Sequence, residues 1–298
     1  MTGRPATLGF FDSGQGGLTI WSAVVRQFPN LNTIYLGDNA RYPYGTKSAA
    51  TVKRYTLEAV IALMERGADA IVVACGTASS VAVPGLTSFF AKPVLGIVDP
   101  MCELAAEAVD VLGLRAPGAP IEPPREAPNI ALLATPYTVK SGRFAATLRS
   151  LIGTAPVALS ATACPLLVPL VEEGFHDHPI AREAVRHYLA ELPSSTRIIL
   201  LGCTHFPRLA GVIAEVAEEL FGRPTCVFGS GGPVSKDAIL LIDPAKALPR
   251  ALASRFDGTA GSGSHLVFCT DSPEGFERTA RRFCDDVLPA VQQMSLVL

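Results

Sequence analysis

The chain alternates short apolar runs with longer segments of helical period. Seven runs, each ending in a polar or glycine-containing turn, predict strands at Leu8–Phe11, Thr33–Leu36, Ala70–Ala74, Val94–Val98, Ile130–Ala134, Ile198–Leu201 and Leu266–Cys269. Helical spacing of apolar residues predicts helices at Ser48–Arg66, Glu103–Val111, Ser141–Leu151, Ile180–Glu191 and Pro207–Leu220. Strands that alternate with helices form βαβ units, and near-continuous apolar strands suit a sheet covered on both faces. The pattern predicts an α/β protein with parallel sheets.

The order of these elements predicts two α/β lobes. A chain of 298 residues is long enough for two cores. We expect the chain to cross to a second lobe near Val98 and to return near Phe206. The first lobe is then discontinuous, with residues 1–98 and 208–298, and residues 99–207 form the second.

Composition narrows the class of protein. Apolar residues make up 49% of the chain, charged residues 17%, and the formal net charge is -2. Lys and Arg are scattered, which argues against nucleic acid or an anionic membrane as a partner. Two uncharged stretches, 70–91 and 151–171, contain Gly and Pro residues that fit buried strands and turns better than a spanning helix. We therefore expect no membrane segment.

The cysteines predict a reducing environment. There are seven, with no CxxC pair and no zinc-type spacing, and no apolar signal region precedes the first strand. Reduced thiols and a cytoplasmic location are expected. Most of the cysteines are expected to be small buried residues of the core.

The residues that directly follow each strand are the candidates for chemistry. In open α/β sheets, ligands bind beyond the carboxyl ends of the strands. These positions hold polar side chains or thiols at Asp12-Ser13, Asp38, Cys75-Gly76-Thr77, Asp99, Thr135 and Cys203-Thr204-His205. Two cysteines in so short a set are the central observation.

Two thiols at strand ends suggest an acid and a base. A thiolate at the start of a helix is stabilised by unpaired amides and the helix dipole. One thiolate can remove a proton from a carbon while a thiol on the other face returns one, which inverts the configuration without a metal or another cofactor. Hydroxyls of Ser13, Thr77 and Thr204 can support the developing charge. The alternative is that Cys75 and Cys203 are two buried structural cysteines.

Two other kinds of site are considered and are not favoured. The turn Gly14-Gln15-Gly16-Gly17, with Asp38 after the second strand, has a dinucleotide-like composition but lacks the G-x-G-x-x-G spacing. His176-Asp177-His178 has metal-ligating side chains, but Asp177 followed by Pro179 is typical of a helix start. We expect no metal and no cofactor.

The segments that carry these residues resemble the glutamate racemase family of the aspartate/glutamate racemase superfamily. The resemblance spans nearly the whole chain, and its motifs occur in the family's order. They are GFFDSGQGGL at 9–18, YLGDNARYPYGTKS at 35–48, VVACGTAS at 72–79, TPYTVKSG at 135–142, ACPLLVPLVEEG at 163–174, LLGCTHFP at 200–207 and FCTDSPEGF at 268–276.

The resemblance implies a fold, a reaction and a set of residues. It implies two similar lobes with the active site in the cleft between them, and cofactor-independent racemisation of glutamate that supplies D-glutamate for peptidoglycan. Cys75 would exchange the proton on the D side and Cys203 on the L side. Asp12 would assist the first thiol, and His205 and Glu172 the second. Substrate-binding residues would be Asp12, Ser13, Tyr44, Gly45, Gly76, Thr77, Thr204 and His205, with Thr135 and Thr138 as weaker candidates. A homodimer is a further expectation.

Gly76 departs from the family pattern. The family has Asn after the first cysteine, whereas this chain has Cys75-Gly76-Thr77. A lost hydrogen bond of this kind costs about 1 kcal/mol, or roughly 1–3 where a buried partner stays unsatisfied. Two alternatives therefore stay open, a racemase of another amino acid such as aspartate and a non-catalytic binding protein. Glu172 as a solvated helix end and Tyr44 as a packing residue are the corresponding structural alternatives.

Overall fold

The computed structural model describes residues 7–115, 127–254, 262–284 and 288–296. The chain divides into two compact units, Met1–Ile97 with Leu248–Leu298, and Val98–Ala247. Each unit contains one parallel sheet with helices between its strands.

The first unit begins with four strands and the helices that connect them. In chain order these are β1 Thr7–Asp12, α1 Leu18–Gln27, β2 Asn32–Gly37, α2 Ala49–Glu65, β3 Ala70–Val73, α3 Gly76–Val81, α4 Val83–Leu86 and β4 Val94–Gly96. Two short 3₁₀ helices, Asn39–Arg41 and Tyr44–Thr46, lie between β2 and α2. β1 is buried along its whole length and pairs in parallel with β2 and β3, so it lies in the middle of the sheet.

The described part of the second unit contains five strands. Its elements are α5 Val98–Val111, β5 Asn129–Ala134, α6 Pro136–Ser141, α7 Arg143–Ile152, β6 Ala158–Ala163, α8 Leu167–Glu172, α9 Pro179–Leu189, β7 Thr196–Leu201, α10 Ala210–Phe221, β8 Thr225–Val227 and β9 Ile239–Ile242. The strand order is β6-β5-β7-β9-β8, and every pair is parallel. β7 lies at the centre, between β5 and β9.

The chain then returns to the first unit. α11 Pro244–Leu252 crosses the boundary, and β10 His265–Cys269, α12 Pro273–Cys284 and β11 Val291–Gln293 follow. β10 pairs with β2 and β11 pairs with β10, which gives the order β11-β10-β2-β1-β3-β4. None of the helices in the described ranges combines the length and apolar character needed to cross a bilayer.

The predicted fold class is confirmed, and all seven predicted strands are present. The predicted point of return is corrected. The sequence placed it at residue 208, whereas the second unit extends to Ala247. The physical reason is strand pairing, because β9 pairs with β7 and β8 pairs with β9, so both strands and α10 belong to the second sheet.

Candidate active site

Cys75 lies where the buried strand β3 turns into α3. It is the N-cap residue of α3, and its sulfur accepts a hydrogen bond from the Ala78 amide at 3.5 Å. The thiol is 5% exposed. An amide of the first helical turn that donates to a sulfur is an arrangement that can stabilise a thiolate.

Strand pairing brings Asp12 and Ser13 to the same edge of the sheet as Cys75. β1 and β3 run in parallel with Phe11 opposite Val73, so the residues that follow the two strands are neighbours. The Cys75 thiol donates to the Ser13 hydroxyl at 3.5 Å. Asp12 is buried, and its Oδ2 accepts from the Gly14 amide at 3.0 Å.

The glycine-rich turn after β1 has a packing role. A Cβ at Gly17 would lie 2.6 Å from the Asp12 Cβ and 2.9 Å from the Tyr35 hydroxyl. The start of α1 therefore approaches Asp12 too closely for any side chain. This contact accounts for glycine at position 17 without a bound phosphate.

Tyr44 is fixed by a buried carboxylate that the sequence analysis did not connect with it. Its phenol donates to Oδ2 of Asp38, which is fully buried. Asp38 also accepts from Arg41 Nε at 2.7 Å and from the Thr270 hydroxyl at 2.8 Å, and Arg41 forms an ion pair with Glu58. Burial first, and then the charge of Asp38, raise the pKa of Tyr44, which keeps the phenol neutral. Tyr44 packs in the same hydrophobic cluster as Cys75.

Cys203 follows the central strand of the second unit. Gly202, the residue before it, sits so tightly between strands that a Cβ would lie 2.6 Å from Leu132 Cδ1 and 3.0 Å from the Leu133 carbonyl. Cys203 is 7% exposed, and its sulfur lies 3.7 Å from His205 Nδ1. The same ring nitrogen lies 3.4 Å from the Thr204 hydroxyl.

His205 connects Cys203 to Glu172. Its Nε2 lies 2.9 Å from Glu172 Oε1, and the imidazole is almost fully buried. Burial lowers the pKa of His205, but hydrogen bonds and charge from Cys203 and Glu172 outweigh it and raise the pKa to about 10. A protonated imidazole donates through both nitrogens, which matches a sulfur on one side and a carboxylate on the other. The Glu172 carboxylate therefore has a defined partner in the His205 imidazole. The next residue, Glu173, is exposed to solvent.

The remaining candidate residues lie in the first turns of helices or at a helix N-cap. Gly76 and Thr77 form the buried first turn of α3, and Gly45 lies in the 3₁₀ helix Tyr44–Thr46. Thr135 caps α6, and its hydroxyl lies 2.9 Å from that of buried Thr138. These two threonines follow β5, the neighbour of β7.

The His-Asp-His segment is the start of a helix. His178 is the N-cap of α9 and accepts from the Ile180 amide at 3.2 Å, whereas His176 pairs with Arg208. Within the part of the chain that the structure describes, no three His, Cys, Asp or Glu side chains are grouped to hold a metal ion.

The two thiols have different surroundings within their own units. Cys75 is surrounded by uncharged donors and acceptors, the Ser13 hydroxyl and the Ala78 amide, with the carboxylate of Asp12 on the adjacent strand. Cys203 faces an imidazole with a raised pKa that is backed by a carboxylate. An imidazolium favours the thiolate of a neighbouring cysteine and can also supply a proton.

Comparison with known proteins gives a consistent result. A family model described as Asp/Glu/Hydantoin racemase matches residues 17–252. A protein named glutamate racemase from Geobacter metallireducens is 35% identical over 296 residues, covering 97% of this chain and 96% of the relative. Another, from Thermus thermophilus, is 36% identical over 297 residues, covering 98% of this chain and 97% of the relative.

Solved structures match over the same length. Glutamate racemase from Thermus thermophilus, in complex with β-chloro-D-alanine, superposes with a TM-score of 0.77 at 35% identity and covers 98% of this chain and 97% of that one. Glutamate racemase from Francisella tularensis, in complex with D-glutamate, has a TM-score of 0.78 at 26% identity and covers 98% of each chain.

Proposed function

Because the chain belongs to the Asp/Glu/hydantoin racemase family, we propose that it interconverts L- and D-glutamate with Cys75 and Cys203 as acid and base. The relatives named glutamate racemase support the substrate. The single observation that best supports the mechanism is the Cys203–His205–Glu172 relay, which supplies one thiol with a charged partner.

In the direction from L- to D-glutamate, the Cys203 thiolate removes the α-proton and becomes a thiol. The electron pair left on the α-carbon is delocalised into the α-carboxylate, and the Cys75 thiol then delivers its proton to the opposite face and becomes a thiolate. His205 stabilises the Cys203 thiolate before this step. The reverse reaction exchanges the two roles, so one proton leaves and one arrives in either direction.

Neutral donors hold the substrate in this proposal. The hydroxyls of Ser13, Thr77 and Thr204, which are buried beside the thiols, bind carboxylate oxygens and stabilise negative charge as it develops. Tyr44 has its phenol committed to Asp38, so we assign substrate contacts in that segment to its backbone and to Gly45.

The reaction uses the chain's own thiols and needs no added cofactor. D-glutamate made in this way serves peptidoglycan synthesis, as the resemblance implied. A cytoplasmic location and a homodimer stay predictions from the sequence.

The direct test is incubation of purified protein with L-glutamate in deuterated water. D-glutamate and deuterium at the α-carbon should appear together without added metal or pyridoxal phosphate. Cys75→Ser and Cys203→Ser should each reduce turnover roughly 10²–10⁴-fold, the range for loss of a general acid or base. Cys226→Ser, which changes an exposed cysteine, is the matched control and should keep full activity. Folded protein that gives neither D-glutamate nor α-exchange would contradict the proposal.

Gly76 supports a second candidate, racemisation of another amino acid such as aspartate. This residue directly follows Cys75 and is buried at the start of α3, so it lacks the carboxamide that the family places beside the first thiol. A panel of L-amino acids followed by α-deuteration separates the substrates. Gly76→Asn should raise glutamate turnover if the carboxamide is simply missing. Glutamate binding by calorimetry without α-exchange would instead favour a binding protein.

A further inference from the structure

A second contact joins the two segments that carry the Cys203 relay. Glu172 and His205 form the first contact, at 2.9 Å. Four residues after Glu172 and three after His205, His176 Nε2 lies 3.0 Å from Arg208 Nη2. The same two stretches of chain are therefore linked twice, side by side.

The chemistry of the second contact fixes the state of His176. A guanidinium has no acceptor, so Arg208 donates and His176 Nε2 accepts. The imidazole is then neutral and carries its proton on Nδ1. Asp177 Oδ2 lies 3.4 Å from the same nitrogen, but its side chain is 87% exposed, so water competes with the imidazole for this carboxylate. Arg208 is the closer partner of Nε2.

Glu172 depends on such an anchor because of its place in the chain. It is the last residue of α8, which has six residues, and its side chain is 21% exposed. The chain then turns through Gly174, at φ 83°, before it reaches His176. A long side chain at the open end of a short helix has many accessible rotamers, and fixing one of them costs entropy. The contact of His176 with Arg208, just beyond this turn, restricts the backbone that carries Glu172.

We propose that Arg208 and His176 are positioning residues that hold Glu172 against His205. The inference rests on the proposed function, because holding Glu172 matters for turnover only if the relay serves Cys203. Neither residue touches the thiol in the contacts described above. Both act through Glu172.

The sign of one measurement separates positioning from simple electrostatics. Removing the positive charge of Arg208 would by itself raise the pKa of a nearby imidazole. If Arg208 instead acts by holding Glu172 in place, its removal weakens the hydrogen bond that raises the pKa of His205, and the pKa falls. The two explanations therefore predict opposite shifts.

The test uses Arg208→Met, His176→Phe, His176→Gln and the double variant Arg208→Met/His176→Phe in the full-length chain. Arg208→Met should be tolerated because it also removes a buried Nε–H that has no acceptor among the described residues. His176→Gln keeps an acceptor at the distance of Nε2, whereas His176→Phe removes it. Arg223→Met, which breaks an exposed ion pair with Asp237 in the same unit, is the control.

The primary readout is the titration of His205 by NMR of its ring Cε1–H in substrate-free protein. The chain has five histidines, and His205→Gln assigns the resonance. We expect Arg208→Met and His176→Phe to lower the pKa of His205 and to reduce kcat from L-glutamate about three- to tenfold with little change in KM, the range for loss of one such hydrogen bond. His176→Gln and Arg223→Met should behave as wild type. The double variant should be no worse than either single change.

Two results would overturn the inference. One is a His205 titration that is unchanged or shifts upward in Arg208→Met. The other is His176→Gln behaving like His176→Phe. Because the titration needs no turnover, it judges this inference independently of whether wild-type protein racemises glutamate, which judges the proposed function.

Discussion

Replacing Glu172 with Gln tests how the buried imidazole next to Cys203 is charged. The change keeps the size of the side chain and an oxygen that can accept from His205 Nε2, but removes the negative charge. Burial opposes protonation of His205, and its partners Cys203 and Glu172 raise its pKa to about 10. Loss of one charged partner should therefore be visible directly in the titration.

The size of the effect follows from the contact. A hydrogen bond to a charged group contributes about 1.5–3 kcal/mol, and about 1.36 kcal/mol corresponds to one pKa unit. Glu172→Gln should thus lower the pKa of His205 by about 1–2 units, to about 8–9. If the same free energy acts on the barrier, turnover from L-glutamate at neutral pH should fall about 10- to 100-fold.

NMR titration of the ring Cε1–H measures the shift, and the neighbouring variant Glu173→Gln controls for it. Glu173 is exposed, so its variant removes an equal charge one residue away without touching His205. The pKa of His205 should stay near 10 in that control. If Glu172→Gln also leaves the pKa unchanged, the carboxylate does not set the charge of the imidazole, and the relay is wrong.

Stability gives an independent check with a defined sign. The folded pKa of His205 is raised above the ordinary value of 6.5. Its contribution to stability is therefore complete below about pH 6.5 and is lost as the pH rises through about 10. The destabilisation caused by Glu172→Gln should therefore have its full size at and below neutral pH and fade as the pH rises through about 10. A loss that does not depend on pH would point to packing instead.

Three further predictions concern other buried groups. Tyr44→Phe removes the donor to Asp38, and it should lower the free energy of unfolding by about 1–3 kcal/mol in urea and raise KM for glutamate; unchanged values of both would contradict the role given to this contact. Burial raises the pKa of Asp243 to about 6 from 3.8, so its stabilising contribution is complete below about pH 3.8 and lost as the pH rises through about 6. Asp243→Asn should therefore stabilise the protein by up to about 3 kcal/mol at about pH 7, with the gain disappearing near about pH 4 in urea titrations; a gain that is equal at both pH values would refute this. Gly17→Ala places a Cβ 2.6 Å from that of Asp12, and kcat should fall at least about tenfold if Asp12 assists catalysis, while circular dichroism confirms that the variant is folded.

Local pattern was sufficient to predict most of the fold because the central strands are apolar and bounded by turns. It missed β6, β8 and β11, which lie at sheet edges, and it also missed β9, an interior strand of four buried apolar residues. β6 consists of small residues, ALSATA, and is only partly buried, whereas β8 has three residues and one of them is exposed. The point of return was misplaced for a different reason. Whether β9 joins β7 or the first sheet depends on pairing between residues far apart in sequence, and no local residue marks it.

In the candidate site, too, some residues could be predicted from local sequence pattern and others could not. The positions of Asp12 and Cys75 at neighbouring strand ends of the first sheet, and of Cys203 at a strand end of the second sheet, could be predicted from the strand pattern. The side chains that hold them in place could not. Asp38 was noted only as a strand end, although Arg41 three residues later was a signal of a local ion pair. Arg208 and His176 are 32 residues apart, and the local sequence around either residue does not predict contact with the other.

The two thiols differ in the side chains and amides that contact their sulfur atoms. At Cys203 the strand turn places His205 two residues away, and Cys203 together with the Glu172 carboxylate from α8 raises the pKa of that imidazole. The thiolate that the proposed mechanism requires there would have a cationic neighbour. At Cys75 the Ala78 amide donates to the sulfur and the Ser13 hydroxyl accepts from the thiol. Because a hydroxyl can also donate, this pair suits both the thiol and the thiolate. An acid and a base that exchange roles must differ in protonation at the start of each direction. In the proposed mechanism, the sulfur that carries the proton decides which direction the next turnover takes.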